Sequence, residues 1–207
     1  MGDSNAAAED GWVTQAQRLE PGWLFINRSV PGNTLGFDNL DNPRLNTLRN
    51  LDEYLARPDT PAGRPVDVVL IALGTNDCKA VFKVRGDEVR ENLRTMIRRI
   101  RAFDFNQDTP PRIAVFGPPP VSPDERVAEK YHGAAERVRA LAADFNHIAT
   151  ETGCLYLDAY APLIDDYESL TSDGVHLTPR GHQTLAGVLT SGLSPHATPA
   201  GTTDESN

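Results

Sequence analysis

The chain has 207 residues, 39% hydrophobic and 24% charged, which suits one α/β-sized domain with enough apolar residues for a core. Twenty Lys and Arg against 29 Asp and Glu give a net charge of −9, a balance that repels phosphate backbones and anionic surfaces and argues against nucleic acid or a membrane as partner. No run reaches the ~18 apolar residues of a membrane span, no basic-then-apolar signal opens the chain, and Cys78 and Cys154 lack disulfide-framework or metal-ligand spacing.

In chain order, Gly2-Asp3-Ser4-Asn5 comes first, followed by a predicted strand over Trp23 to Val30 and a glycine loop, Pro31-Gly32-Asn33-Thr34. Asn42 as N-cap with Pro43 behind it predicts a helix start. Val66 to Leu73 is short, β-branched and bounded by Pro65 and Gly74, the pattern of a strand buried on both faces. Gly74-Thr75-Asn76-Asp77 follows it. Val89, Leu93, Met96, Ile97, Ile100 and Phe103 recur at helical spacing, and the arginines at 90, 94 and 98 form the solvated side of that helix. Arg112 to Phe116 is the next strand, and Pro118 to Pro120 after it suit a rigid pocket wall. A second long helix carries Val127, Tyr131, Val138, Leu141, Phe145 and Ile148, with His132 and His147 on it. Then come a strand over Cys154 to Asp158, the loop Asp173-Gly174-Val175-His176, and a last helix capped by Thr178 with Pro179 behind it. Alternating strands and helices predict a parallel sheet covered on both faces. The expected domain is 1–190; in 191–207 Gly, Ser, Thr and Pro dominate, and a disordered tail is expected.

Parallel sheets bind ligands outside the carboxyl ends of their strands, where these unusual loops fall. Asp173 stands three residues before His176, close enough to fix the imidazole tautomer and leave its other nitrogen as a base. Such a base needs a nucleophile, and Ser4 is the candidate. The Gly32 N–H and the Asn76 amide have the right chemistry for an oxyanion. Singly, each signal is weak: Asp-x-x-His is more often a loop ion pair, and Gly-x-Asn-Asp more often a turn. His182 is a rival base with no carboxylate beside it in sequence. Cys78 abuts the Asn76 loop but has no paired base. Asp3 suits a turn-holding role better than metal binding, and Trp12 suits a pocket wall or a core helix equally.

Gly-Asp-Ser first, a glycine loop next, Gly-x-Asn-Asp after a buried strand and Asp-x-x-His before the last helix together resemble the SGNH hydrolases, or GDSL esterases. The resemblance spans Gly2 to about Leu189. It implies a three-layer α/β/α sandwich of the flavodoxin-like SGNH type with five parallel strands. It also implies Ser4 as nucleophile, His176 as base, Asp173 as its orienting partner, and Ser4 N–H, Gly32 N–H and Asn76 as oxyanion donors, without metal or cofactor. Asp41-Asn42-Pro43-Arg44-Leu45-Asn46 and Gly74-Thr75-Asn76-Asp77 with Lys79 further resemble the arylesterase and acyltransferase branch. The family places a buried strand ahead of the Gly-Asp-Ser block, whereas only Met1 stands there, so the first strand is expected to be missing and four strands are counted. The function expected is a serine esterase acting on short acyl, above all acetyl, esters of small molecules or carbohydrates through an acyl-enzyme. The alternative is a non-catalytic ligand-binding protein whose Ser4 sits on an unanchored terminus. A cytoplasmic location is expected for the chain as given, with secretion if residues upstream of Met1 carry a signal.

Overall fold

The structure is a computed structural model that describes residues 1–56 and 64–194. In chain order its α-helices are α1 (Ser4–Ala7), α2 (Trp12–Leu19), α3 (Leu51–Leu55), α4 (Gly86–Ala102), α5 (Ala134–Glu151), α6 (Ala161–Ile164), α7 (Tyr167–Leu170) and α8 (Pro179–Leu193). The strands are β1 (Val68–Ile71), β2 (Arg112–Phe116) and β3 (Leu155–Leu157), in the spatial order β1-β2-β3 and all parallel. Val68 pairs with Arg112 and Ala114 with Leu155 in the two registers. Strand side chains alternate between faces, so Ile71, Ile113 and Val115 join one core while Ala114, Phe116 and Leu157 join the other. The first core receives Leu93, Met96 and Ile97 of α4 and Val138, Leu141 and Phe145 of α5; the second receives Trp12 and Ala16 of α2 and Leu185 and Leu189 of α8. The result is the three-layer α/β/α architecture expected. No helix among the described residues is long and apolar enough to cross a membrane.

Sequence and structure part at several places. Trp23 to Val30, a predicted strand, pairs with no strand. Its backbone is held instead by the Gln17 side chain, whose Nε2 donates to Trp23 O and whose Oε1 accepts from Phe25 N. A strand forms only beside a partner, and the partner available is a stub. Gly2 makes a single parallel bridge to Ala72, with the Met1 amine donating to Leu70 O at 2.9 Å and Ala72 N donating to Met1 O at 2.9 Å. Three strands therefore stand among the described residues, against four counted and five implied. A cavity of about 490 Å³ continues from the stub between the Val68–Leu70 edge and the wall formed by Trp23, Phe25 and Ile26.

The helix predicted from Asn42 is one 3₁₀ turn, Pro43–Leu45, although Asn42 caps it as expected by accepting from Arg44 N at 3.0 Å. It stops because the Asn46 side chain donates to Gly36 O and to the Asp38 carboxylate, competing with the next helical turn. The last helix begins as predicted, with Thr178 Oγ1 accepting from Gly181 N, and its apolar face carries it to Leu193, past the expected boundary at 190. Residues 195–207, the greater part of the expected tail, lie outside the described residues. Val127, Tyr131 and His132 precede α5 rather than lying on it, because Gly133 is its N-cap; Val127 ends one 3₁₀ turn and Tyr131 lies in the next.

Candidate active site

Gly2 is tied to Ala72 by its bridge and to Val30, whose N–H donates to Gly2 O at 3.1 Å, so Ser4 leaves the stub at the carboxyl end of the sheet. The terminus is anchored, contrary to the premise of the non-catalytic alternative. Asp3 holds the turn into α1 by accepting from Asn5 N at 3.1 Å. Burial pushes its carboxyl up to about 6, against the pull of that same N–H.

Asn5, the residue after Ser4, is buried and reaches across to the His176 loop. Its Nδ2 donates to Val175 O at 3.1 Å and its Oδ1 accepts from Leu177 N at 3.0 Å, one bond on each side of His176. One amide thus binds the segment carrying Ser4 to the segment carrying His176. Among the described residues no hydrogen bond joins Ser4 Oγ to His176; contacts of this kind commonly tighten when substrate binds. His176 Nδ1 lies 2.7 Å from Asp173 Oδ2, while Asp173 Oδ1 accepts from Val175 N and His176 N at 3.0 and 2.8 Å. Desolvation raises the Asp173 carboxyl, but these contacts, the His176 N–H first, outweigh it and hold the group below the usual carboxylate range. Gly174 sits at φ +83° with Arg126 O 2.9 Å from where a Cβ would stand, so only glycine lets the loop turn here.

The other half of the site joins the loops at Gly32 and Gly74. Gly74 turns the chain out of the sheet at φ +125°, with Leu141 and Phe145 side chains 3.2 Å from a Cβ it lacks. Asn76 Nδ2 donates to Asn33 O at 3.0 Å, and both Asp77 oxygens accept from Leu35 N at 3.0 and 3.1 Å, stapling the two loops together. Burial pushes the Asp77 carboxyl up to about 7, opposed by the Leu35 N–H. Lys79 is buried as well; its ammonium donates to Asn39 Oδ1 at 3.2 Å, and Asn39 Nδ2 donates to Gly32 O at 2.6 Å. This chain fixes the Gly32 peptide, whose φ is +89°. Burial, with Lys130 nearby, pushes the Lys79 amine down to about 8. Tyr131 OH donates to Asn76 Oδ1 at 3.0 Å.

The remaining candidates fall away from this cluster. His182 is buried in α8 with Nδ1 unpartnered among the described residues, and burial lowers its pKa. Cys78 is buried, and desolvation pushes its thiol far above neutrality, which removes it as a nucleophile. Trp12 meets both expectations: it is a buried core residue packed edge-on to Phe116 at 5.1 Å, and it also lines the small cavity beside Asp3 and Asn5 and the large one along the β1 edge. His132 and His147 are exposed. The arginines at 90, 94 and 98 pair with Asp87 and Asp144, with Glu151 and with Glu91 on the solvated face expected of them. Pro118 and Pro119 border a cavity of about 20 Å³ beside Asp3 and Asn5. The large cavity lies along the β1 edge and is lined by neither Ser4 nor His176.

Sequence reasoning missed four contributors, Asn5, Asn39, Asp77 and Tyr131. Asn5 and Asp77 lay inside motifs already singled out, but only the fold shows their partners. Tyr131 read as a helix-face apolar residue, and no local pattern marks it.

A serine, a His–Asp pair and an asparagine amide carried on loops of a three-layer α/β/α scaffold are the residue types that a serine hydrolase uses. The chain matches the GDSL-like Lipase/Acylhydrolase family over residues 1–184 and belongs to it. It is 24% identical over 201 residues to an acetylxylan esterase of Xylanibacter ruminicola, a match covering 90% of this chain but 39% of that protein, so the chain spans about two fifths of that relative's length. A carbohydrate acetylesterase family member from Sinorhizobium meliloti has a similar fold, with a TM-score of 0.74 at 24% identity, covering 92% of this chain and 93% of that one. The inhibitor-bound aryl esterase of M. smegmatis gives 0.72 at 24% identity, covering 92% and 94%.

Proposed function

We propose that the protein is a serine esterase that removes short acyl groups, acetyl above all, from small-molecule or carbohydrate alcohols. The observation that supports this reading is the Asn5 clamp: the residue after Ser4 donates to Val175 O and accepts from Leu177 N, the two neighbours of His176, whose Nδ1 pairs with Asp173. Asp173 keeps Nδ1 protonated, leaving Nε2 free to take the Ser4 proton as Oγ attacks the ester carbonyl. The Ser4 and Gly32 N–H groups and the Asn76 amide receive the negative charge that develops on the carbonyl oxygen. His176 then protonates the leaving alcohol, and water activated by the same imidazole releases the acid from Ser4 and restores the enzyme. Acetyl preference is supported by the names of the relatives, an acetylxylan esterase and a carbohydrate acetylesterase.

A fluorophosphonate probe followed by peptide mapping tests the assignment. Label on Ser4, lost in Ser4→Ala, is the expected outcome; well-folded protein that takes no label would favour the non-catalytic ligand-binding alternative.

A further inference from the structure

We propose that Tyr131 is a positioning residue for the oxyanion donor Asn76, acting through its hydroxyl on the far side of the amide; this rests on the esterase reading above. Asn33 O can only accept, so the group facing it at 3.0 Å must be the Asn76 amine, Nδ2. That fixes Oδ1 at the other end, 3.0 Å from the Tyr131 hydroxyl, which must then be the donor. One Nδ2 hydrogen is committed to Asn33 O, and the second is left for a developing oxyanion.

Three physical effects follow. Rotation of the amide about its last torsion would have to break both bonds at once, so the free N–H points one way before substrate arrives. A hydrogen bond to Oδ1 draws electron density from the amide nitrogen and makes the free N–H a better donor, as hydrogen bonds in a chain polarise one another. The hydroxyl also stays protonated throughout the working pH range. Burial first, and the charges of Asp3 and Asp173 after it, raise its pKa. The Tyr131 ring is itself held: it is buried, with the Lys79 and Lys130 ammonium groups 5.6 and 5.5 Å from its centroid. The 3₁₀ turn Glu129–Tyr131 that delivers it is closed by Tyr131 N donating to Ala128 O at 2.7 Å. The segment after β2, which supplies neither the nucleophile nor the base, thereby tunes the oxyanion hole.

Tyr131→Phe removes only the hydroxyl. The expected result is a fall in kcat of roughly three- to tenfold, the size of one ordinary hydrogen bond, with KM unchanged and the pH profile retained. The same substitution made in Asn76→Ala should change kcat by less than about 1.5-fold, because the group through which Tyr131 acts is gone. An equal fall in both backgrounds, or wild-type kcat in Tyr131→Phe beside an impaired Asn76→Ala, overturns this inference and leaves the esterase reading standing. Wild-type kcat in Asn76→Ala overturns the oxyanion assignment and this inference with it. Should Tyr131→Phe fail to fold, nuclear magnetic resonance of the wild-type chain decides. A slowly exchanging Tyr131 hydroxyl proton with a cross-peak to the Asn76 amine is expected, and rapid exchange with water overturns the proposal.

Discussion

Acetylating the Met1 amine should stabilise the 207-residue chain in mild acid and leave it almost unchanged in mild base. The amine is buried and donates to Leu70 O at 2.9 Å, with no carboxylate among the described residues to offset its charge, so desolvation pushes its pKa from 8.0 down to about 5. Between those values the unfolded chain carries the proton and the folded chain does not. Stability from this group is therefore fully present above pH 8 and is lost as pH falls through 8 to about 5. Three pH units at about 1.36 kcal/mol each make roughly 4 kcal/mol, a large share of the about 5 to 15 kcal/mol of a typical domain. An acetylated nitrogen still has one N–H for Leu70 O, carries no charge, and has the cavity beside Val68 and Leu70 to receive the acetyl group. Urea unfolding of both forms at pH 5 and pH 8 supplies the measurement. Buried Asp3 and Asp77, whose raised pKa values act with the opposite sign, titrate alike in both forms and cancel in the difference. The acetylated chain should be more stable by about 4 kcal/mol at pH 5, the gap closing by pH 8. Parallel stability curves would refute the buried-amine argument.

Three further outcomes are expected at the site. Ser4→Ala should abolish hydrolysis of an activated acetyl ester with an unchanged far-UV spectrum, and residual wild-type turnover would remove Ser4 as nucleophile. Asn76→Ala should lower kcat by roughly 10² to 10³, about 2.7 to 4 kcal/mol, whereas a change in KM alone would make it a substrate-binding residue. Asn5→Ala leaves Leu177 N unpaired, at about 1 to 3 kcal/mol for a buried group, and leaves Val175 O only the Tyr167 hydroxyl at 3.4 Å; it should also slow phosphonylation of Ser4 in protein kept folded. A lower melting temperature with an unchanged labelling rate would show that the clamp supports the fold but does not position His176.

Much was legible in the sequence because it is written in local spacing. Val66 to Leu73 announces a doubly buried strand, the Val89 to Ile100 pattern announces α4, and Thr178-Pro179 announces α8; each signal lies within one element. The candidate site was legible for the same reason, since Ser4, Gly32, Asn76, Asp173 and His176 sit in short motifs at strand ends. Trp23 to Val30 was misread because a strand is defined by its neighbour, and hydrophobic pattern alone cannot supply one. Asn42 was over-read as a helix start because the Asn46 side chain, bonded to Gly36 O and Asp38, takes over one turn later.

The sequence by itself determined the fold class, the order of the helices on the sheet and the chemical types gathered at its carboxyl end, all consequences of periodicity and of residues adjacent in the chain. Only the tertiary structure decided which groups hold that chemistry in place. Asn5 is 170 residues from Val175, Asp77 is 42 from Leu35 and Tyr131 is 55 from Asn76. A hydrogen bond spanning such separations depends on how the layers pack, and no local pattern in the chain encodes it.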